Sequence, residues 1–342
     1  MYVRRLLAGV LVLVLTGCAH QQAGDGGAKR VAYLGSMMNA PFSVQMSAGY
    51  RFGAGQFTDV TATVTGPPAA DATALATTLT DLTTQGYRSI AISIPFTETT
   101  GDPLGDAVAK GVHLIAFDTP PVTGSPVLTY IGNDNQNLGR LLADTVADRL
   151  DADATGRIVL GNPRNGVPQL DARALGFTQR MRERLPKVRV LGPLDTADRP
   201  GAATSMWESV TESTPGALAF VSVGADGRLL SEIRARRKAS WVAAAFDVDD
   251  TTIAAVKRDE LVLVSPEQFL KGAVAAELQV TYLGRESEMP EGWLEIPGVA
   301  VTAANAGEIL ARDATDASRR AYYLPAIGEV LAAATRPLED AQ

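Results

Sequence analysis

Cysteine is almost missing from this chain of 342 residues: there is one, at position 18. A single cysteine excludes a disulfide framework and any cysteine-based zinc cluster, because both need partners in sets. Histidine is nearly as scarce, with two residues, His20 and His113. The first lies near the N-terminus and the second inside an expected strand, so neither is placed for acid–base work. Positive charge is not in excess either. Lys and Arg total 31 against 38 Asp and Glu, a formal net charge of −7, whereas binding to nucleic acid calls for a concentrated basic surface. Motifs of catalysis are also lacking: there is no Gly-x-Ser-x-Gly elbow, no His-Glu-x-x-His and no Gly-Lys-Ser/Thr phosphate loop. No Gly-x-Gly-x-x-Gly follows the first expected strand, which argues against a dinucleotide cofactor. These gaps point to a protein that is not an enzyme and carries no cofactor. What is present, 46% hydrophobic and 20% charged residues, is the composition of a packed globular protein. The length suggests two domains of roughly 150 residues each.

The N-terminus reads as an address. Arg4 and Arg5 precede the apolar run Leu6 to Leu15, which is too short for a membrane-spanning helix of about 20 residues. A short positive region, an apolar run and then small residues make a secretory signal pattern. The segment Leu15-Thr16-Gly17-Cys18 resembles the bacterial lipoprotein lipobox. The resemblance implies cleavage before Cys18 and attachment of lipid to its sulfur. Loss of residues 1–17 removes Arg4 and Arg5 and takes the net charge to −9. His20 to Ala28, rich in Gly, Gln and Ala, reads as a flexible tether. The protein is thus expected to be exported and held at a bacterial membrane.

From Lys29 the pattern alternates between strand and helix. Strands are expected at Arg30–Gly35, Asp59–Thr65, Ser89–Ile94 and Val112–Phe117, with helices at Pro41–Gln56, Ala70–Gln85 and Gly105–Lys110. A second run places strands at Arg157–Leu160, Val188–Leu191, Ala217–Val223, Trp241–Phe246 and Leu261–Val264. Its helices are expected at Ala172–Arg184, Ala202–Ser213, Gly227–Arg237, Thr251–Lys257 and Glu267–Tyr282. Strands apolar throughout, separated by helices, indicate parallel sheets covered on both faces. The expectation is an α/β protein of two doubly wound, Rossmann-like lobes. In such sheets ligands lie beyond the carboxyl ends of the strands, where Asn39, Glu98, Asp118, Asn162 and Asp247 fall.

Those positions carry a family resemblance. Val31-Ala32-Tyr33-Leu34-Gly35, continuing through Asn39-Ala40-Pro41-Phe42 into Gly49, resembles the first strand and helix of type I periplasmic sugar-binding proteins. Tyr130-Ile131-Gly132-Asn133-Asp134-Asn135 with Gly139-Arg140 resembles their first hinge. Ala172-Arg173-Ala174-Leu175-Gly176-Phe177 resembles the second-lobe helix, Ala245-Phe246-Asp247 a sugar-binding strand end, and Ser265 to Gly272 the return crossing. The matches are collinear over residues 30–280. The family fold is two lobes joined by three hinge crossings. By this likeness lobe I comprises residues 30–132 and about 265–304, lobe II residues 133–264, and residues 305–342 form a helical extension.

Carried over position by position, the resemblance nominates Asn39 and the stacking ring of Phe42, the carboxylates Glu98, Asp118 and Asp247, and Asn162 and Arg164. Carboxylates suit sugars because each accepts charge-assisted bonds from hydroxyls. Several positions depart from the family pattern. Where an Arg usually forks onto sugar oxygens stands Asp171, with Arg173 two residues on. An expected Asn-Asp is Gly224-Ala225-Asp226, and the usual Gln is displaced to Gln268. These departures speak against an aldopentose or aldohexose pyranose and fit a smaller or linear polyol, a modified sugar, or a non-sugar ligand with a positive group drawn by Asp171. Plainer readings stand beside these: Asp118 and Asp247 are suited to capping turns, and Asn39 to starting the turn before Pro41. The resemblance implies a monomeric substrate-binding lipoprotein of an ABC importer, partnered by a membrane permease. The alternative is a sensory protein presenting ligand to a membrane histidine kinase or chemoreceptor.

Overall fold

The computed structural model describes residues 29–94, 97–197, 200–285 and 289–341. Cys18, the signal segment and the tether lie outside the described residues. Among the described residues, β1 (Lys29–Leu34), β2 (Val60–Thr65), β3 (Ser89–Ile92), β4 (His113–Phe117) and β5 (Thr129–Gly132) alternate with α1 (Pro41–Ala54), α2 (Ala72–Thr84) and α3 (Thr97–Ala109). α4 (Asn135–Ala147) then leads into β6 (Gly156–Asn162), α5 (Pro168–Arg184), β7 (Val188–Asp195), α6 (Pro200–Ser213) and β8 (Ala219–Ser222). α7 (Gly227–Arg237), β9 (Val242–Phe246), α8 (Asp250–Lys257), β10 (Val262–Ser265) and α9 (Gln268–Arg285) follow. The chain ends with β11 (Gly292–Glu295), β12 (Val299–Val301), α10 (Ala306–Asp313), α11 (Asp316–Ala332) and a 3-10 turn at Leu338–Ala341.

The strands form two sheets of one design. Their orders are β2-β1-β3-β4-β5-β11 and β7-β6-β8-β9-β10-β12. All pairings are parallel except β10 with β12. Helices cover both faces, so the central strands are buried along their whole length, as expected for a doubly wound sheet. In the first lobe α1, α9 and α11 pack on one face and α2 and α3 on the other. In the second, α4 and α5 cover one face and α6, α7, α8 and α10 the other.

Two helix pairs pack unusually closely. A Cβ at Gly49 of α1 would lie 1.9 Å from the Phe269 carbonyl oxygen of α9, and one at Gly176 of α5 would lie 1.9 Å from the Gln136 carbonyl of α4. Both helices brought in by a crossing, α4 and α9, are therefore seated against glycine. Local signals start several helices. Asp71 caps α2 through the Ala74 N–H, Asp134 caps α4 through that of Asn137, and Asp249 forms a capping box with Thr252.

Three features differ from the sequence-based expectation. The helix expected from Gly105 begins at Thr97, with Pro103 inside it; burial of Leu104 and Ala107 against the sheet outweighs the single backbone donor that proline lacks. Residues 265–304 do not all join lobe I, because β12 pairs with β10 of lobe II. The chain also passes between the lobes a fourth time. α10 buries Ala306 and Ile309 in lobe II, whereas α11 buries Tyr323, Ile327 and Val330 in lobe I.

Candidate functional site

The two sheets place a carboxylate at matching points. Asp118 follows β4 and Asp247 follows β9, each beyond the fourth strand of its lobe. Both adopt φ of +64°, a left-handed conformation that Asp tolerates better than most residues. Their backbone N–H groups bond equivalently, Asp118 to the Ile131 carbonyl at 3.0 Å and Asp247 to the Val264 carbonyl at 3.1 Å. Neither residue is the N-cap of the helix that follows it; α8 is capped by Asp249. Each side chain projects instead toward a shared group of charges between the lobes.

That group is assembled from both lobes. Lys271 of α9 donates to Asp118 Oδ1 and, at 3.0 Å, to Gln268 Oε1. Gln268 Nε2 donates in turn to Asp247 Oδ1 at 3.2 Å. Arg173 of α5 is buried; its Nε donates to Asn135 Oδ1 at 2.9 Å and its Nη1 to the Val223 carbonyl at 3.2 Å. Its guanidinium lies 4.2 Å over the ring of Phe246, a cation–π geometry. Asn133 holds the crossing behind them, donating to the carbonyls of Pro266 and Ile296 at 3.1 and 2.8 Å.

Burial dominates the electrostatics here. It pushes the Lys271 ammonium below its ordinary value, opposed mainly by Asp118. It also lowers the Arg173 guanidinium, opposed by Asp247 and Asp118. The Asp247 carboxyl is raised by burial, with Arg173, the Gln268 bond and Lys271 pulling it back. Each charge is costly alone and sustained by its neighbours, the arrangement that buried ions require.

The lobes also touch directly. Gln45 of α1 donates to the Val248 carbonyl in lobe II, and Gln169 of α5 lies 3.4 Å from the Thr119 hydroxyl of lobe I.

Of the residues nominated from sequence, Asp118, Arg173, Asp247 and Gln268 are brought together. Phe42 lies half-buried in the first turn of α1, against the lobe I core. Asn39 is exposed in the preceding turn, its N–H bonded to the Pro68 carbonyl at 3.1 Å. Glu98 belongs to α3, but its side chain lies outside the described residues.

Three other nominees are already committed within lobe II. Asn162 is fully buried; its Nδ2 donates to Asp171 at 2.8 Å and its Oδ1 accepts the Arg164 N–H at 3.0 Å. The second oxygen of Asp171 accepts the Gly166 N–H at 2.9 Å. Asp171 therefore organises the loop ahead of α5, and a positive ligand group would have to compete with both bonds. Asp226 accepts from Ser222 at 2.8 Å and from the Trp207 indole at 3.0 Å, which fixes the turn into α7.

Lys271 was not nominated at all. Its signal was a lone charge between Gln268 and Ala276 in an otherwise apolar helical stretch, a position that costs too much to be incidental.

The periplasmic binding protein domain matches residues 31–287. The chain belongs to that family. The fold of this periplasmic binding protein is shared by solved structures of low sequence identity. An ABC transporter solute-binding protein from Burkholderia graminis, in complex with D-arabinose, superposes with a TM-score of 0.73 at 18% identity, over 82% of this chain and 97% of that one. A solute-binding protein from Actinobacillus succinogenes with bound D-allose gives 0.74 at 15% identity, over 82% and 99%. A periplasmic ribose ABC transporter protein from Conexibacter woesei gives 0.72 at 19% identity, over 87% and 99%. No curated protein matches the chain. The segment from β11 to the C-terminus lies beyond the family match. Among the described residues no helix is long and apolar enough to cross a membrane, and no cluster of metal-ligating side chains occurs.

Proposed function

We propose that this periplasmic binding protein is the substrate-binding lipoprotein of an ABC importer, taking a sugar, polyol or sugar derivative between its lobes. The observation that carries this reading is the pairing of Asp118 and Asp247, one carboxylate per lobe at matched strand ends, with Arg173, Gln268 and Lys271 between them. Carboxylates accept hydroxyl protons, while amide, guanidinium and ammonium groups donate to hydroxyl oxygens. A polyhydroxylated ligand uses both kinds of partner at once. Because those partners belong to different lobes, the ligand favours the closed form by population shift. A permease that recognises the closed form would then receive only loaded protein. The sugar ligands of the structural relatives support the same chemical class. Cys18, at the end of the lipobox-like segment, would tether the protein to the outer face of a bacterial membrane.

A thermal-shift panel of the mature protein tests the site, using D-arabinose, D-ribose, D-allose, D-fucose, D-galactose, D-glucose and their amino and acid derivatives. A ligand at 100 times its Kd stabilises by about 2.7 kcal/mol. Asp247→Ala should abolish the shift; an unchanged shift would remove Asp247 from the site.

A further inference from the structure

Lys271 is the unexpected member of the cleft. Its side chain has no exposed surface, and that of Asp118 beside it is 13% exposed. An ammonium carries three donors, and two are accounted for by Asp118 and Gln268. The charged groups facing one another here are Lys271 from α9, Arg173 from α5, Asp118 after β4 and Asp247 after β9. Two cations and two carboxylates cancel.

That balance constrains what can enter. Taking an ion out of water is costly unless it meets an opposite charge. Within this cluster each charge already faces a counter-charge, so an ionic ligand that meets it finds none in excess. A neutral polyhydroxylated ligand meets no such penalty. Its hydroxyls can donate to the carboxylate oxygens that remain, leaving the cluster neutral.

We propose that Lys271 sets the charge specificity of the cleft: by cancelling Asp118 it admits uncharged polyhydroxylated ligands over amino sugars and sugar acids. This rests on the sugar-binding reading and adds to it a residue and a rule. Without Lys271 the cluster would carry one excess negative charge and favour a cationic ligand. Without the Asp118 charge it would carry one excess positive charge and favour an anionic one. Specificity would thus be set partly by repulsion and by the cost of burying an unpaired charge, and not by attraction alone.

Isothermal calorimetry of the wild type, Lys271→Met and Asp118→Asn tests the rule. The probes are the six neutral sugars of the panel, each with its amino-deoxy and carboxylate derivatives. The wild type should bind a neutral sugar at least tenfold more tightly than its charged counterparts. Lys271→Met should shift the ratio of amino-sugar to neutral-sugar affinity upward at least tenfold. Asp118→Asn should shift the ratio of sugar-acid to neutral-sugar affinity upward by a similar factor. A purely structural role for the pair would weaken all three classes alike, and that result overturns the proposal, as does a wild type that prefers a charged sugar. Should Lys271→Met fail to fold, the double variant with Asp118→Asn is neutral again and should recover the wild-type order of preference; failure to recover it also overturns the proposal. Absence of binding to every probe by the wild type would instead refute the sugar-binding reading, and this inference with it.

Discussion

Replacing Arg312 with methionine should loosen the fourth passage between the lobes. Arg312 lies in the last turn of α10, and both of its terminal nitrogens meet Glu267 at 2.9 Å. Glu267 sits in the crossing from β10 to α9, where it also accepts from Ser265 at 2.7 Å. The two side chains retain 9% and 2% of their exposure, so water does little to screen them. Burial works against the Arg312 cation, but Glu267, joined by Tyr323 and Tyr322, outweighs it and holds the guanidinium above its ordinary value. Tyr322 and Tyr323 add aromatic faces 4.8 and 5.6 Å from the guanidinium carbon.

Methionine conserves the stem but strands the Glu267 carboxylate in the interior. Breaking a buried pair this way costs about 3–5 kcal/mol, whereas replacing both partners by neutral groups of similar volume costs little. Urea unfolding of Arg312→Met, Glu267→Gln and the double variant forms a cycle that isolates the pair. Both single variants should lose several kcal/mol, and the double variant should lose less than their sum by at least about 2 kcal/mol. A loss under about 1 kcal/mol for Arg312→Met, the value of a solvent-screened surface pair, would refute the reasoning, as would strict additivity.

Gly176→Ala should destabilise lobe II, because the new methyl would meet the Gln136 carbonyl at 1.9 Å and force α4 from α5; overpacking of this kind costs roughly 1–3 kcal/mol, measurable by denaturant unfolding. Ligand affinity should fall on mild acidification. The Asp247 carboxyl is raised above its ordinary value of 3.8, so it takes up a proton, and loses its charge-assisted acceptance of hydroxyls, before a free aspartate would. Taken alone, the same raised carboxyl makes the fold more stable as the pH falls through that range, since the folded state binds the proton more tightly than the unfolded chain. Calorimetric affinity that stays flat down to the ordinary Asp range would exclude Asp247 as the acceptor. Cys18→Ala should eliminate incorporation of radioactive palmitate and release the protein from the membrane fraction; persistent label would refute lipid attachment at Cys18.

Much of the architecture was readable along the chain because it rests on local pattern. Apolar strands such as Ser89–Ile92 and Ala219–Ser222, separated by helices, have few packing solutions other than parallel sheets with both faces covered. Asp118 and Asp247 stood out because strand ends mark the ligand edge of such sheets, and Gly49 and Gly176 because the family pattern includes them. Asn162 was nominated by the same logic, and Asp171 and Asp226 by alignment to the family pattern, yet all three bond within their own lobe. A polar residue at a strand end serves a turn as readily as a ligand, and only the positions of its neighbours decide between them.

The sequence by itself determined two doubly wound lobes and set the carboxylates Glu98, Asp118 and Asp247 just beyond strands. Periodicity and strand termini are properties of neighbouring residues, so they survive without coordinates. Tertiary structure alone decided that Lys271 neutralises Asp118 across 153 positions of chain and that Arg312 binds Glu267 across 45. It also decided that the C-terminal helices join the lobes once more. These are pairings of distant residues, and no local pattern encodes which charge a buried charge will meet.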